Sequence, residues 1–385
     1  MQSFEEMSGS DRISILADDA IPFLKGILEP VANVTYLRGA DITRQNLAGS
    51  NALLVRTRTV CNKALLEGTG VSFIATATIG FDHIDTQYCR KNNIGWTSAP
   101  GCNSGSVMQY MVAALLHLCI KFGLEPENLT LGVVGAGNVG SKVAEAAGML
   151  GMNVLINDPP RQRREGSGRF TSLNKLVRES DIVTFHVPLN LKGRDATFHL
   201  AGRDLIGAMK RGSFLFNTSR GGVTNEEEVK KSLWNGHLQG YVADVWSREP
   251  AADNELVEMA EIATPHIAGY SADGKLNGTR MVLKALAGHF KLKVVLPTTD
   301  VLPPPTNPII KIDDFARTVP EVLHRAVLST YDIAKETKQF KSDPAKFEEI
   351  RNNYQVRREF PAYTLEGDHP AALIASRLGF LRKKD

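Results

Sequence analysis

The sequence has few of the features that mark secreted or metal-binding proteins. Its 385 residues include only four cysteines, and these are scattered without the spacing of metal ligands. A disulfide framework and a zinc site are therefore not expected, and no bound metal is predicted. Residues 1–11 are polar and lack the apolar core of a signal peptide. These features favour a cytoplasmic protein.

Long apolar runs and an excess of charge of one sign are also missing. The most apolar run, residues 107–120, is too short to span a bilayer, so no membrane association is expected. The formal net charge of +3 is small for this length, and no stretch resembles a basic arm. Nucleic acid is therefore excluded as a partner, and basic residues are expected to act locally on a small anion.

Apolar strand-like segments alternate with helical segments along most of the chain, which is typical of doubly wound parallel sheets. A helix is predicted after the first strand, beginning near Pro22. The predicted strands of a first unit are 13–16, 52–56, 72–76 and 95–97. The predicted strands of a second unit are 131–134, 154–157, 182–186, 213–218, 240–245 and 261–263.

The predicted fold class is α/β, with two Rossmann-like doubly wound parallel-sheet domains, a cleft between them and a small C-terminal α+β domain. A proline-rich stretch at 296–308 suits a linker. Helices are predicted beyond it at 320–340, 343–359 and 371–379, which suits an oligomerisation or capping module. The predicted domains are 11–104 with 271–293, then 105–270, then 294–385.

A glycine fingerprint opens the second unit. Gly135, Gly137 and Gly140 follow an apolar strand and precede a helical pattern, in the spacing that lets a backbone approach a pyrophosphate. A second strand ends at Asp158, where a carboxylate can bind a ribose hydroxyl pair and favours NAD over NADP. Arginines at 161, 163 and 164 follow and weaken that preference. The alternative is a strand–helix turn without a ligand.

Three polar stretches follow the later predicted strands and contain Arg220, Glu249 and His266. Ligands of open α/β sheets bind outside the carboxyl ends of the strands, so these side chains can reach one crevice. Arg220 can clamp a carboxylate, His266 can exchange the proton of a hydroxyl that is being oxidised, and Glu249 can orient the imidazole. The alternatives are a surface salt bridge, a core histidine and an ordinary loop carboxylate.

These residues and their spacing resemble the D-isomer-specific 2-hydroxyacid dehydrogenases. Residues 76–85 look like that family's substrate-carboxylate loop, and residues 186–189 look like the segment that flanks its adenine site. The resemblance implies NAD as the cofactor, His266 as proton acceptor, and Arg220 and Glu249 as its partners. The NAD contacts that it implies, with the glycines of the turn, are Gly135, Gly137, Asn138, Val139, Gly140, Asp158, Val187, Pro188, Thr218, Asp244 and Gly269.

The implied substrate contacts are Thr57, Thr78, Ile79, Gly80 and Tyr270. Thr57 stands where a serine would also serve, and Val187 stands where a hydroxyl residue is possible, so Val187 is expected to contact NAD through its backbone. Three further segments, 99–103, 157–161 and 266–270, resemble one branch of the family that acts on a phosphorylated 2-hydroxy acid.

The tail, at 350–354 and 357–360, resembles the C-terminal dimerisation domain of that branch, which implies a homodimer. A phosphorylated substrate needs cations beyond Arg220, and Arg56, with Arg58 beside it, is the physical candidate for its phosphate. Arg357 and Arg358 are weaker candidates. The alternatives are another D-2-hydroxyacid dehydrogenase, acting on phosphoglycerate or on glyoxylate and hydroxypyruvate, and an NAD-sensing interaction protein on the same fold.

Overall fold

The chain crosses three times between two structural units. The computed structural model describes residues 12–355 and 357–383. The first unit combines the residues before Ser104 with Ala272–Pro303, and the second combines Ser104–Ser271 with the residues from Pro304 onward. The predicted domain limits at Asp11 and at residues 384–385 lie outside the described residues. The division into three domains with separate roles stays a prediction.

A five-stranded parallel sheet forms the centre of the first unit, in the order β2-β1-β3-β4-β5. Its strands are β1 (Ser14–Asp18), β2 (Asn33–Leu37), β3 (Ala52–Val55), β4 (Phe73–Thr76) and β5 (Gly95–Thr97). Its helices are α1 (Lys63–Leu66), α2 (Thr86–Lys91) and α10 (Ala272–Phe290). Every residue of β3 and β4 is buried, which explains why these strands read as unbroken apolar runs.

The helix predicted near Pro22 is wrong, because residues 20–32 form a series of turns. Phe23 and Gly26 both have positive φ, at 60° and 86°, and these left-handed residues interrupt any helix. The edge strand β2 was not predicted. Its residues are exposed or only partly buried, so it lacks the apolar run that marks the central strands.

A six-stranded parallel sheet forms the centre of the second unit, in the order β11-β10-β9-β8-β6-β7. The strand order reverses between β6 and β8, which is where doubly wound sheets bind ligands. The strands are β6 (Thr130–Val134), β7 (Asn153–Asn157), β8 (Ile182–Phe185), β9 (Ser213–Asn217), β10 (Leu238–Ala243) and β11 (Ile262–Ala263). The helices are α3 (Ser104–Phe122), α4 (Asn138–Met149), α5 (Pro159–Glu165), α6 (Leu173–Glu179), α7 (Arg203–Ala208), α8 (Glu226–Trp234) and α9 (Asn254–Met259). The predicted α/β class with parallel sheets is confirmed.

Helix α3 contains the apolar run 107–120 and extends beyond it at both ends. At 19 residues it is the one helix among the described residues that is long and apolar enough to cross a membrane. Of its most apolar window, 72% is buried inside the protein. Its side chains join those of β6, α4 and the C-terminal helices in one apolar core, so tertiary packing accounts for its composition.

The C-terminal residues form a small three-stranded parallel sheet and four helices that pack within the second unit. The elements are β12 (Ile309–Lys311), α11 (Val319–Thr330), α12 (Ile333–Ser342), α13 (Phe347–Asn352), β13 (Thr364–Glu366), α14 (Ala371–Leu378) and β14 (Leu381–Arg382). The single helix predicted at 320–340 is two helices, because the Asp332 side chain accepts from Lys335 N and starts α12. The helix predicted at 343–359 is also wrong in length, since α13 has only six residues.

Candidate functional site

The glycine turn between β6 and α4 is held by close backbone contacts. Gly135 has φ +89°, and a Cβ on it would lie 2.6 Å from the carbonyl oxygen of His186. A Cβ on Gly140 would lie 1.9 Å from the carbonyl oxygen of Gly135. In contrast, a Cβ on Gly137 would meet no heavy atom within 4 Å. The amino end of α4, which begins with Asn138, Val139 and Gly140, therefore faces open space in which an anion fits.

Asp158 follows β7 and contacts this turn directly. Its Oδ2 accepts a hydrogen bond from Ala136 N at 2.8 Å, and its Oδ1 accepts one from Arg161 N at 2.9 Å. The Arg161 guanidinium forms two parallel hydrogen bonds to Glu165, both 2.8 Å long, and Arg163 is paired with Asp195. Because these two arginines already have carboxylate partners, they provide less support for NADP than their sequence positions suggested.

The ends of β8 and β9 lie beside the turn, and His186 connects them. Its Nε2 is 3.1 Å from Thr184 Oγ1, and its Nδ1 is 3.4 Å from Thr218 Oγ1. Burial lowers the pKa of His186 to about 3, so the imidazole is neutral at physiological pH. Val187 comes next, and its Cγ1 is one of the atoms that leave no room for a side chain at Gly135. Pro188 is exposed.

The loop after β9 presents Arg220 and is organised by Asn217. The buried Asn217 side chain donates to Arg220 O at 2.9 Å and accepts from both Ser219 N and Ser219 Oγ. A Cβ on Gly221 would lie 2.0 Å from the carbonyl carbon of Trp246, so this loop packs tightly on the loop that follows β10. Asn217 was not predicted as a site residue, although its place at a strand end was visible.

Glu249 and His266 are in direct contact. His266 Nδ1 lies 2.7 Å from Glu249 Oε2, and Glu249 Oε1 accepts from Trp246 N at 3.0 Å. Burial opposes the charge on Glu249, but the His266 ring, the Trp246 N–H and the charge of Arg351 outweigh it and lower the pKa of Glu249. His266 has φ +59°, an unusual conformation for a residue other than glycine.

The His266 loop is fixed by Asp244, which is 1% exposed. Its Oδ1 accepts from Thr264 Oγ1 and Ile267 N, both at 2.7 Å, and its Oδ2 accepts from Ala268 N at 2.9 Å. Burial raises the pKa of Asp244 in spite of these hydrogen bonds. The carboxylate predicted to contact NAD is therefore engaged with its own chain.

Gly269 and Tyr270 continue this loop, and Tyr270 contacts Arg351 of helix α13. Tyr270 Oη accepts a hydrogen bond from a terminal nitrogen of Arg351 at 3.0 Å, and the Arg351 guanidinium lies 5.6 Å from the centre of the Tyr270 ring. Arg351 was not predicted as a site residue, because it stands 81 residues away in the sequence and belongs to a tail interpreted as a dimerisation domain.

The remaining predicted substrate residues lie in the first unit, after two neighbouring strands. Arg56 and Thr57 follow β3, and Thr78, Ile79 and Gly80 come shortly after β4. Thr78 Oγ1 is 2.7 Å from Thr76 Oγ1 and donates to Gly80 O at 3.0 Å, which tightens this loop. Arg56 donates to Ala20 O at 3.2 Å.

Lys275, at the start of α10, was not predicted as a site residue and lies within electrostatic reach of Arg56. Its burial and the neighbouring Arg56 charge both lower the pKa of Lys275. Two cations brought together in this way favour an anionic ligand. Among the described residues, no cluster of three or more histidines, cysteines or carboxylates suits a metal ion.

Comparisons with known proteins identify the family. Residues 119–268 match the model of the D-isomer specific 2-hydroxyacid dehydrogenase NAD binding domain, and residues 301–379 match a domain of unknown function. The chain is 45% identical over 357 residues to erythronate-4-phosphate dehydrogenase of Bacteroides thetaiotaomicron, which covers 92% of this chain and 99% of that relative. The chain belongs to the erythronate-4-phosphate dehydrogenases.

Other similarities agree with this membership. The erythronate-4-phosphate dehydrogenase of Cronobacter sakazakii is 36% identical, covering 96% of this chain and 98% of that one. The crystal structure of D-lactate dehydrogenase from Aquifex aeolicus, complexed with NAD and lactic acid, is 26% identical with a TM-score of 0.58. It covers 72% of this chain and 95% of that one. The predicted family and the predicted cofactor, NAD, are confirmed, and this erythronate-4-phosphate dehydrogenase family member is an NAD-dependent dehydrogenase.

Proposed function

We propose that the protein oxidises 4-phospho-D-erythronate to 3-hydroxy-2-oxo-4-phosphobutanoate, a step in pyridoxal 5′-phosphate biosynthesis. The observation that carries this proposal is the 2.7 Å contact between Glu249 and His266, in a chain so similar to named erythronate-4-phosphate dehydrogenases. An imidazole bonded to a carboxylate through Nδ1 presents Nε2 as a proton acceptor.

In the proposed reaction, His266 Nε2 takes the proton of the C2 hydroxyl while Glu249 stabilises the imidazolium that forms. The C2–H bond breaks and a C2=O bond forms. The hydrogen at C2 leaves with its two electrons as a hydride, for which bound NAD would supply the acceptor. Arg220 clamps the substrate carboxylate and polarises the C2 oxygen with its planar fork of donors.

We assign the cofactor contacts to the open amino end of α4 and to the groups around it. The backbone of Gly137, Asn138 and Val139 would hold the pyrophosphate, and Asp158 would bind the ribose. The strand ends at Val187, Pro188 and Thr218 supply further contacts, together with Gly269. Asp244 acts through the loop that it holds.

We assign the substrate contacts to Thr57, to the loop Thr78, Ile79 and Gly80, and to Tyr270. The backbone and hydroxyl groups of such short loops are suited to a hydroxy acid that carries several oxygen atoms. Arg56 is assigned to the substrate phosphate, because its guanidinium supplies paired donors and Lys275 adds a second positive charge.

The proposal also includes a homodimer in the cytoplasm. Large apolar side chains of the C-terminal part are exposed, among them Phe315 at 65%, Ile309 at 55% and Leu381 at 54%, and these support a contact between two copies. Light scattering during gel filtration tests this: a molar mass near twice 42.1 kDa is expected. A mass equal to that of one chain would overturn the dimer.

The test of the reaction is NADH production by the purified protein with 4-phospho-D-erythronate, 3-phosphoglycerate and D-erythronate. A 2-oxo acid is included as an acceptor, in case NADH stays bound. Strong preference for the first substrate, lost in His266→Ala, is expected. Equal or faster turnover of 3-phosphoglycerate would overturn the substrate assignment. Bound NAD without turnover of any hydroxy acid would favour the NAD-sensing alternative.

A further inference from the structure

The C-terminal part of the chain forms hydrogen bonds to the loop that carries His266. Three of its side chains contact three positions within residues 268–271. Arg357 donates to Ala268 O at 2.6 Å, Arg351 donates to Tyr270 Oη at 3.0 Å, and Glu359 accepts from Ser271 Oγ at 2.8 Å. The C-terminal part therefore fixes residues 268–271, which follow His266, within a single chain.

The two arginines among these contacts differ in their surroundings. Arg357 is 6% exposed and also donates to Ser106. Its guanidinium carbon lies 4.1 Å from the centre of the Tyr331 ring, so Arg357 is a buried structural residue. Arg351 is only partly buried. Within the part of the chain that the structure describes, it forms no ion pair, and its single side-chain hydrogen bond goes to Tyr270.

Arg351 has a hydrogen-bond donor without a partner and lies close to the groups proposed to react. Its Nε is buried without a hydrogen-bond partner, while the rings of Tyr270 and Phe347 pack against the guanidinium, each at 5.6 Å. Its charge reaches Glu249 and contributes to the lowered pKa of that carboxyl group. A partly buried cation without a carboxylate partner is costly, and an anionic ligand would satisfy it.

The substrate of the proposed function has an anionic group at each end and reacts at C2. Arg220, on the loop after β9, is suited to the carboxylate next to C2. Arg351, on α13, adds a second cation near Glu249 from a different element. We propose that Arg351, with the Tyr270 hydroxyl beside it, contacts the terminal phosphate of the substrate in addition to Arg56 and so contributes to specificity for phosphorylated hydroxy acids. This inference rests on the proposed function. Arginine suits this role because its donors match phosphate oxygens in pairs.

The test compares kcat/KM for 4-phospho-D-erythronate and D-erythronate in the wild type, Arg351→Gln and Arg351→Lys. In Arg351→Gln we expect a loss of about 10- to 100-fold with the phosphorylated substrate, and a loss at least several-fold smaller with D-erythronate. Arg351→Lys keeps the charge without the paired donors and should be intermediate. Arg325→Gln is the matched control, because Arg325 is exposed, lies in the same C-terminal part and pairs with Asp314.

An equal loss with both substrates would overturn the inference, since Arg351 would then only position Tyr270 and the His266 loop. An unchanged preference in Arg351→Gln would overturn it as well. The wild type reports on the proposed function separately: a wild type that does not prefer the phosphorylated acid overturns that function. Urea unfolding and NAD affinity of each variant show whether the protein is folded. If Arg351→Gln does not fold, the substrate preference of Arg351→Lys decides.

Discussion

Gly137, which precedes helix α4, and Gly140 and Gly148 within it differ enough in their surroundings to separate cofactor binding from folding. A Cβ on Gly140 would lie 1.9 Å from the carbonyl oxygen of Gly135, which is backbone and cannot rotate away. Ordinary contacts of this kind exceed 3.4 Å, so the turn must shift by more than 1 Å. We expect Gly140→Ala to destabilise the fold by about 3 kcal/mol and to abolish NAD binding.

Gly137→Ala should behave differently. The added methyl group meets no atom of the protein within 4 Å, and φ at this position is −72°, which alanine adopts freely. The free energy of unfolding should change by no more than about 0.5 kcal/mol. The methyl group would occupy the space that a pyrophosphate needs in front of the helix, so NAD affinity should fall by about tenfold or more.

Gly148→Ala is the matched control, because it adds the same methyl group to the same helix, also in open space. Alanine is the better helix former, so a small gain of about 0.5 kcal/mol and unchanged NAD affinity are expected. Urea unfolding and NAD titration calorimetry measure both quantities. Wild-type NAD affinity in Gly137→Ala would refute the pyrophosphate site, and wild-type stability in Gly140→Ala would refute the reasoning from close contacts.

Three further predictions concern charged groups. In the folded state the pKa of Glu249 lies below 4.5, its ordinary value in an unfolded chain. The charged carboxylate therefore stabilises the fold at pH values above 4.5, and this stabilisation is lost as the pH falls through the lower pKa of the folded state. Glu249→Gln should therefore lose less stability than the wild type between pH 7 and pH 3 in urea unfolding, while kcat falls about 100-fold. Asp244→Asn should lower the free energy of unfolding by about 2 kcal/mol, because an amide cannot accept all three loop hydrogen bonds. An unchanged melting temperature in calorimetry would contradict this prediction. Arg56→Ala should raise KM for the phosphorylated substrate by about tenfold or more, and full retention of that affinity would remove Arg56 from the phosphate site.

The sequence predicted the elements whose burial is complete. Central strands such as β3 and β9 are buried at every residue, so their apolar runs are unmistakable. The edge strand β2 carries no such pattern, because its five residues are exposed or only partly buried. The strands β12 to β14 have only two or three residues each, which are too few to show a period. The break between α11 and α12 depends on one capping side chain, which a helical pattern conceals.

The candidate site was predictable where strand order determines proximity. Glu249 and His266 follow adjacent parallel strands, so their loops lie at the same sheet edge. Asp244 is predicted from the sequence as a ligand of NAD, but in the folded protein its carboxylate accepts hydrogen bonds from its own loop. The sequence around Arg351 contains no motif that marks it as a site residue, because its contact with Tyr270 depends on how the C-terminal helices pack within the second unit.

The hydrogen bonds between the C-terminal part and the His266 loop can form only late in the synthesis of the chain. Ala268 and Tyr270 leave the ribosome 89 and 81 residues before the arginines that hold them. The C-terminal helices also complete the apolar core that α3, β6 and α4 share, so the second unit cannot finish folding before they are made. The His266 loop therefore reaches its final hydrogen bonds only after the C-terminal residues have been synthesised. A chain that terminates before Arg351 would lack both arginine contacts to this loop.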